Sequence, residues 1–143
     1  MSVAAILDIK GHNIFTIRPD HSVADAAALL SGKKVGVAVV CDSSGALLGV
    51  LSERDIVHGI SQYGKAAIDM PIRNIMSSPV VTCAPTDSAK GILVVMTERR
   101  IRHLPVVADG QLLGIVSIGD AVSYRLRETQ LEVGVLRDFA VIR

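Results

Sequence analysis

The seven residues Gly49-Val50-Leu51-Ser52-Glu53-Arg54-Asp55 occur again, 65 residues on, as Gly114-Ile115-Val116-Ser117-Ile118-Gly119-Asp120. Both copies read Gly, two aliphatic residues, Ser, two variable positions and Asp. The likeness runs outward from there. Gly45, Leu47 and Leu48 match Gly110, Leu112 and Leu113, and Thr16, Pro19 and Ser22 match Thr82, Pro85 and Ser88 at an offset of 66. The offset changes by one across the turn after Asp42, where the second copy is a residue shorter. An internal repeat constrains the fold more than any local signal does. The chain is a tandem duplication, and both halves must fold to one plan.

A chain of 143 residues buries roughly two-thirds of its unfolded surface on folding. Two units of about 60 residues are each marginal alone, which predicts that they share a core. Half of the residues are hydrophobic, yet only 3% are aromatic and Trp is absent, so the core is built from Val, Ile, Leu and Ala. Fifteen basic residues against fourteen acidic ones, with no block of like charge, argue against a general grip on nucleic acid. Two Phe and two Tyr make poor stacking platforms for single strands. No run approaches the ~18 apolar residues of a membrane span, and the N-terminus lacks the pattern of a signal peptide. Cys41 and Cys83 have no metal or redox spacing and sit in apolar runs. They read as buried small hydrophobes of a cytoplasmic protein.

Along the chain, Ser2 to Ile9 predicts a short helix, and residues 1–13 read as a helical lead-in. Ile14 to Ile17 predicts a strand closed by Pro19. Ser22-Val23-Ala24-Asp25 has the form of a cap opening an Ala- and Leu-rich helix that ends near Gly32-Lys33-Lys34. Val35 to Cys41 is a nearly continuous apolar strand, the kind covered on both faces. A turn and a returning strand, Ala46 to Leu51, precede a helix from Ser52 to about Tyr63. The first repeat thus spans 14–63 and the connection 64–79, with a helical turn near Ile72 to Met76.

The second repeat, 80–127, follows the same plan. Val80 to Cys83 is a strand, Ser88 to Arg100 a helix and Leu104 to Val107 a strand. Asp109-Gly110 is a hairpin turn, and Leu112 to Val116 pairs back. A long helix from Gly119 to about Phe139 places Ala121, Val122, Leu126, Leu131 and Leu136 on one side, with 128–143 as its extension and Gly134 as a weak point. The fold class is α/β (α+β), two tandem β-α-β-β-α repeats expected to pack face to face about a pseudo-twofold axis.

The repeated motif has a physical reading of its own. Gly permits a close approach at the end of a strand. Ser then caps a helix whose first amides are unpaired and partly positive, a ready phosphate site. Asp, in the first turn, can accept two hydrogen bonds from a vicinal diol. Phosphate acceptor beside diol acceptor suits a ribonucleotide. The same Ser-x-x-Asp pattern is also an ordinary helix cap, and the two roles are compatible.

The order of elements, the paired Gly-x-x-Ser-x-x-Asp motifs and the stretch Arg102-His103-Leu104-Pro105-Val106-Val107 resemble a tandem cystathionine β-synthase (CBS) domain pair, or Bateman module, over about residues 14 to 127. The resemblance implies that Ser52 and Ser117 meet phosphate and that Asp55 and Asp120 hold ribose. It also implies an apolar base slot between the first and central strands of each repeat. Those strands supply Thr16, Ile17, Val37, Ala38 and Val39 in one copy, and Thr82, Cys83, His103, Leu104 and Pro105 in the other. Thr16 and Thr82 suit strand positions satisfied by a neighbour equally well.

Arg99, Arg100, Arg102 and His103 form the one local cationic cluster, and Arg102 pointing into the cleft would neutralise phosphate. Lys33, Lys34, Gly36 and Val37 stand at those places in the first repeat, so the two sites are expected to differ. Gly119 would admit a ligand closer to its helix start than Arg54 does, whereas Arg54 can reach a second phosphate, as a dinucleotide would offer.

Catalysis is not expected. His12, His21, His58 and His103 are scattered, with no metal cluster, no nucleophile elbow and no P-loop or dinucleotide fingerprint. CBS pairs are often attached to an enzyme or channel, and the ends here lie close to the repeats. The expectation is a free-standing regulatory module that binds AMP foremost, or ADP, ATP or NAD(H), as a homodimer acting on an unidentified protein partner. A protein-interaction module without nucleotide, or a binder of S-adenosylmethionine, is the alternative. The apolar positions Ile56, Val57 and Ile60, with Ala121, Val122 and Leu126, would supply the dimer interface or else pack within the chain.

Overall fold

The computed structural model describes residues 2–142, with the side chains at 132 and 135–142 left out. The expectation that Leu136 lies on an apolar helix face falls outside the described residues. In chain order the elements are α1 (Val3–Lys10), β1 (Thr16–Ile17), α2 (Val23–Lys33), β2 (Val37–Cys41), β3 (Leu47–Ser52) and α3 (Glu53–Tyr63). Two short 3-10 helices, Gly64–Asp69 and Ile72–Asn74, lead to α4 (Ala89–Arg99), β4 (His103–Ala108), β5 (Gln111–Ser117) and α5 (Ile118–Ile142). Two compact units emerge, Asn13–Val81 and Met1–His12 together with Thr82–Arg143.

In the first unit the strand order is β1-β2-β3. β1 runs parallel to β2, with Thr16 opposite Val39, and β3 is antiparallel, with Ser52 opposite Val37. The central strand is covered on both faces, since Ala38, Val39 and Val40 are all buried. Ile17, Val23, Ala26, Leu30, Ala38, Val40, Leu51 and Ile72 make one hydrophobic cluster. The Ser22 hydroxyl accepts from the Asp25 amide at 3.0 Å and starts α2 as expected. The helix closes at Lys34, with φ 55°, within the stretch expected to end it.

The second unit repeats the plan with β4 and β5 antiparallel, His103 opposite Ser117. Asp109 and Gly110, with φ 52° and 75°, form the expected tight turn. Such positive φ at both central residues matches the twist of the strands it joins. α4 packs on α5, and α1 packs on β5 and α5, burying Val3, Ile6 and Leu7. α5 runs without a break through Gly134.

The first strand of each repeat is shorter than its sequence implies. Only Thr16–Ile17 pairs as a strand in the first, and in place of Val80 to Cys83 there is a single parallel bridge from Cys83 to Val106. Cys83 bonds to β4 through its amide to the Pro105 carbonyl and its carbonyl from the Val107 amide, both at 2.9 Å. The ladder cannot continue past it because Pro85, the next residue on that side, has no N–H to give.

Candidate functional site

In each repeat the third strand passes straight into a helix, with one Ser ending the strand and starting the turn. The Ser52 hydroxyl accepts from the Asp55 amide at 3.3 Å, and the Asp55 carboxylate accepts from the Ser52 amide at 2.8 Å. Ser117 and Asp120 make the same reciprocal pair at 3.0 and 2.9 Å. The first helical amide is taken as well: Glu53 donates to the Gly36 carbonyl at 3.0 Å and Ile118 to that of Arg102 at 2.8 Å. Two of the first three amides are therefore satisfied internally, unlike the unpaired set expected from sequence. The second, on Arg54 or Gly119, is the one placed for an incoming acceptor.

The motif glycines serve a different purpose from the one expected. Neither ends a strand, since Gly49 lies within β3 and Gly114 within β5. A Cβ on Gly49 would come within 2.6 Å of the Ser77 carbonyl, and one on Gly114 within 2.8 Å of the Leu7 side chain. What approaches closely is the protein itself. Gly119 is not crowded, for a Cβ there would meet only the Ser117 hydroxyl at 3.6 Å.

The two aspartates differ in their neighbours. The second Asp55 oxygen accepts from the Ser77 hydroxyl at 2.9 Å. Asp120 instead meets the Lys10 ammonium at 2.5 Å, and Lys10 also donates to the Ile115 carbonyl at 2.7 Å. Partial burial pushes the Asp120 carboxyl up, but the Lys10 ammonium and the Ser117 amide and hydroxyl outweigh it and hold the group below its ordinary value. Sequence reasoning missed both Lys10 and Ser77. The repeat offset pairs Gly11 with Ser77 and Lys10 with Met76, unlike residues that give no signal of either contact.

Of the other expected residues, Val37 lies opposite Ser52 and His103 opposite Ser117. Arg102 joins its site through its carbonyl, while its side chain and that of Arg54 are exposed. Thr16 and Thr82 are exposed too, and Thr16 reaches the site only across β2. Ile17, Ala38, Cys83, Leu104 and Pro105 are buried in their own units. Their side chains pack the core. Beside Asp120, between α1 and α5, lies a pocket of about 160 Å³.

The sequence model of the CBS domain matches residues 6–62 and again 72–127. The chain belongs to the CBS-domain family. The solved CBS-domain containing protein from Agrobacterium tumefaciens is 38% identical, with a TM-score of 0.84 over 87% of this chain and 92% of that one. CBS domain-containing protein YhcV of Bacillus subtilis is 30% identical over 82% of this chain and 83% of its own. An uncharacterized 33.4 kDa protein of Thermofilum pendens is 39% identical over 72% of this chain, which spans only 33% of that relative's length. A CBS domain pair solved in complex with 5′-methylthioadenosine and S-adenosyl-L-methionine shares the fold at 24% identity, with a TM-score of 0.76 over 91% of this chain and 98% of that one. The CBS resemblance and the α+β fold class read from the sequence are thus borne out. Among the described residues no group of His, Cys, Asp and Glu is placed to hold a metal ion, and no helix is long and apolar enough to cross a membrane.

Proposed function

We propose that this CBS pair is a regulatory module that binds an adenine nucleotide (AMP, ADP, ATP or NAD(H)) at Ser52–Asp55 and Ser117–Asp120. The observation that supports it is the duplicated helix start, in which Ser, Asp and one remaining amide converge twice. The amide and the helix dipole suit phosphate, and the carboxylate suits the ribose diol. Arg54 and Arg102 are exposed beside these positions and suit further phosphate oxygens. The 5′-methylthioadenosine and S-adenosyl-L-methionine of the solved CBS pair are in keeping with an adenosine moiety as the common element. A homodimer is part of the proposal, because Val57, Ile60, Val122 and Leu126 stay exposed whereas Ala121 is buried and Ile56 packs on the core. Its partner protein reads the ligand through differential affinity for the bound state.

The reciprocal Ser–Asp bonds favour a second reading, in which the motifs are caps and the protein acts through an interface alone. Asp→Asn separates the two, since Asn still accepts from the Ser amide but no longer offers two carboxylate oxygens to a diol. Calorimetric titration of nucleotide-stripped protein with AMP, ATP and NADH is expected to show saturable binding. Asp55→Asn or Asp120→Asn should weaken it about tenfold or more. Under the second reading no nucleotide binds at millimolar concentration, and Asp→Ala costs only about 1 kcal/mol of stability.

A further inference from the structure

The pocket beside Asp120 belongs to the second repeat. It is walled on α1 by Ile6, Ile9 and Lys10 and on α5 by Ser123, Tyr124 and Arg127. With Asp120, the α5 residues recur at helical spacing, so one stripe of the helix meets the pocket. The corresponding stripe of α3 carries Asp55, His58, Gly59 and Gln62. There Gly59 is buried against Ile75, and a Cβ would meet that side chain at 2.9 Å. Gly59 thus stands where the second repeat has Tyr124, and Gln62 where it has Arg127, so the first repeat lacks that cation.

The open space is charged in one sense. Lys10 and Arg127 set two cations against the single Asp120 carboxylate, with the Ser123 hydroxyl between them on the helix and an apolar wall behind. A cavity near 150 Å³ holds one ring-sized group, so the sugar end of a nucleotide fits and its base stays outside. The helix start has only its second amide to offer, which leaves most of the phosphate recognition to side chains.

We infer that this pocket is a phosphate subsite of the second repeat, with Arg127 and Lys10 binding the phosphate of a ligand whose ribose is held by Asp120. The inference rests on the proposed nucleotide function. It makes Arg127 and Lys10 the side chains by which the second site favours phosphorylated over neutral nucleosides.

Titration of wild-type protein with AMP and with adenosine, repeated on Arg127→Met and Gln62→Met, tests it. Both residues are exposed on helices, and thermal melts establish that the variants fold. Arg127→Met is expected to lower AMP affinity about tenfold or more while leaving adenosine unchanged, and Gln62→Met to change neither. If AMP binds wild type and Arg127→Met alike, the subsite is refuted and the nucleotide function stands. If neither AMP nor adenosine binds the wild type, both fall together.

Discussion

Asp55 and Asp120 hold corresponding places in the two repeats, yet one meets a hydroxyl and the other an ammonium. The ammonium has a consequence for how Asp120 responds to pH. Asp120 titrates below its ordinary value. Its contribution to stability is therefore complete above about pH 4, the unfolded carboxylate range, and is lost as pH falls through the lowered folded value. Lys10→Met should cost about 1 kcal/mol at pH 7, and the gap to wild type should close in more acidic solution. Urea unfolding at pH 7 and pH 3 measures both. Equal gaps at the two pH values would show that Lys10 acts through packing alone. A second residue-scale prediction concerns Cys83, whose thiol burial, with Asp87 nearby, pushes up to about 12. Iodoacetamide at pH 8 should leave it unmodified in the native protein and alkylate it on unfolding. Rapid native labelling would contradict its burial. The motif Ser and Asp were legible in the sequence because they repeat, whereas Lys10 and Ser77 were not, because what brings each to its Asp is packing.

At the scale of elements, the third strands accept an intruder at their glycines. The Ser77 carbonyl sits over Gly49, where β3 exchanges two backbone hydrogen bonds with residue 77. Leu7 covers Gly114. A backbone oxygen cannot yield as the tip of a leucine can. Gly49→Ala should therefore cost about 1–3 kcal/mol and Gly114→Ala less, as chemical denaturation would reveal; the reverse order would contradict this packing. Helix ends carry another signature. Lys34 and Arg100, with φ 55° and 54°, close α2 and α4 in the left-handed conformation. Glycine relieves that conformation, so Lys34→Gly and Arg100→Gly should each stabilise by roughly 0.5–1 kcal/mol. A loss of stability in melting experiments would place the side chains in contacts that matter more. Caps and hairpin turns were read correctly from Ser22, Ser88 and Asp109-Gly110, whose signals are local. The lengths of the first strands were not, since ladder pairing depends on which segment lies alongside rather than on the run itself.

At the scale of the whole molecule, each repeat is completed by the segment that leads into the other. Residues 70–77 precede the second repeat but bond to the first, through Val23 to the Met70 carbonyl at 2.9 Å and Ile72 to the His21 carbonyl at 2.8 Å. Residues 2–12 precede the first but bond to the second, through Val3 to the Asp87 carbonyl at 2.8 Å and Ala4 to that of Pro85 at 3.0 Å. The family match begins at equivalent points, Ile6 and Ile72. Reading residues 1–13 as a mere lead-in missed this, because a hydrophobic pattern predicts that a helix is buried and not against what. Deleting residues 2–10 removes Val3, Ile6 and Leu7 from the second unit. Burial of such side chains is worth about 1.5–3 kcal/mol each, so hydrogen exchange should show β5 and α5 losing protection before β2 and β3. The central claim is that the paired Ser-x-x-Asp helix starts are nucleotide sites. Amide shift mapping of nucleotide-stripped protein during an AMP titration tests it most directly. Saturable shifts should centre on Arg54 and Gly119 and their neighbours in the two motifs. Shifts confined to other surfaces, or none at millimolar AMP, would mean that the motifs only cap their helices.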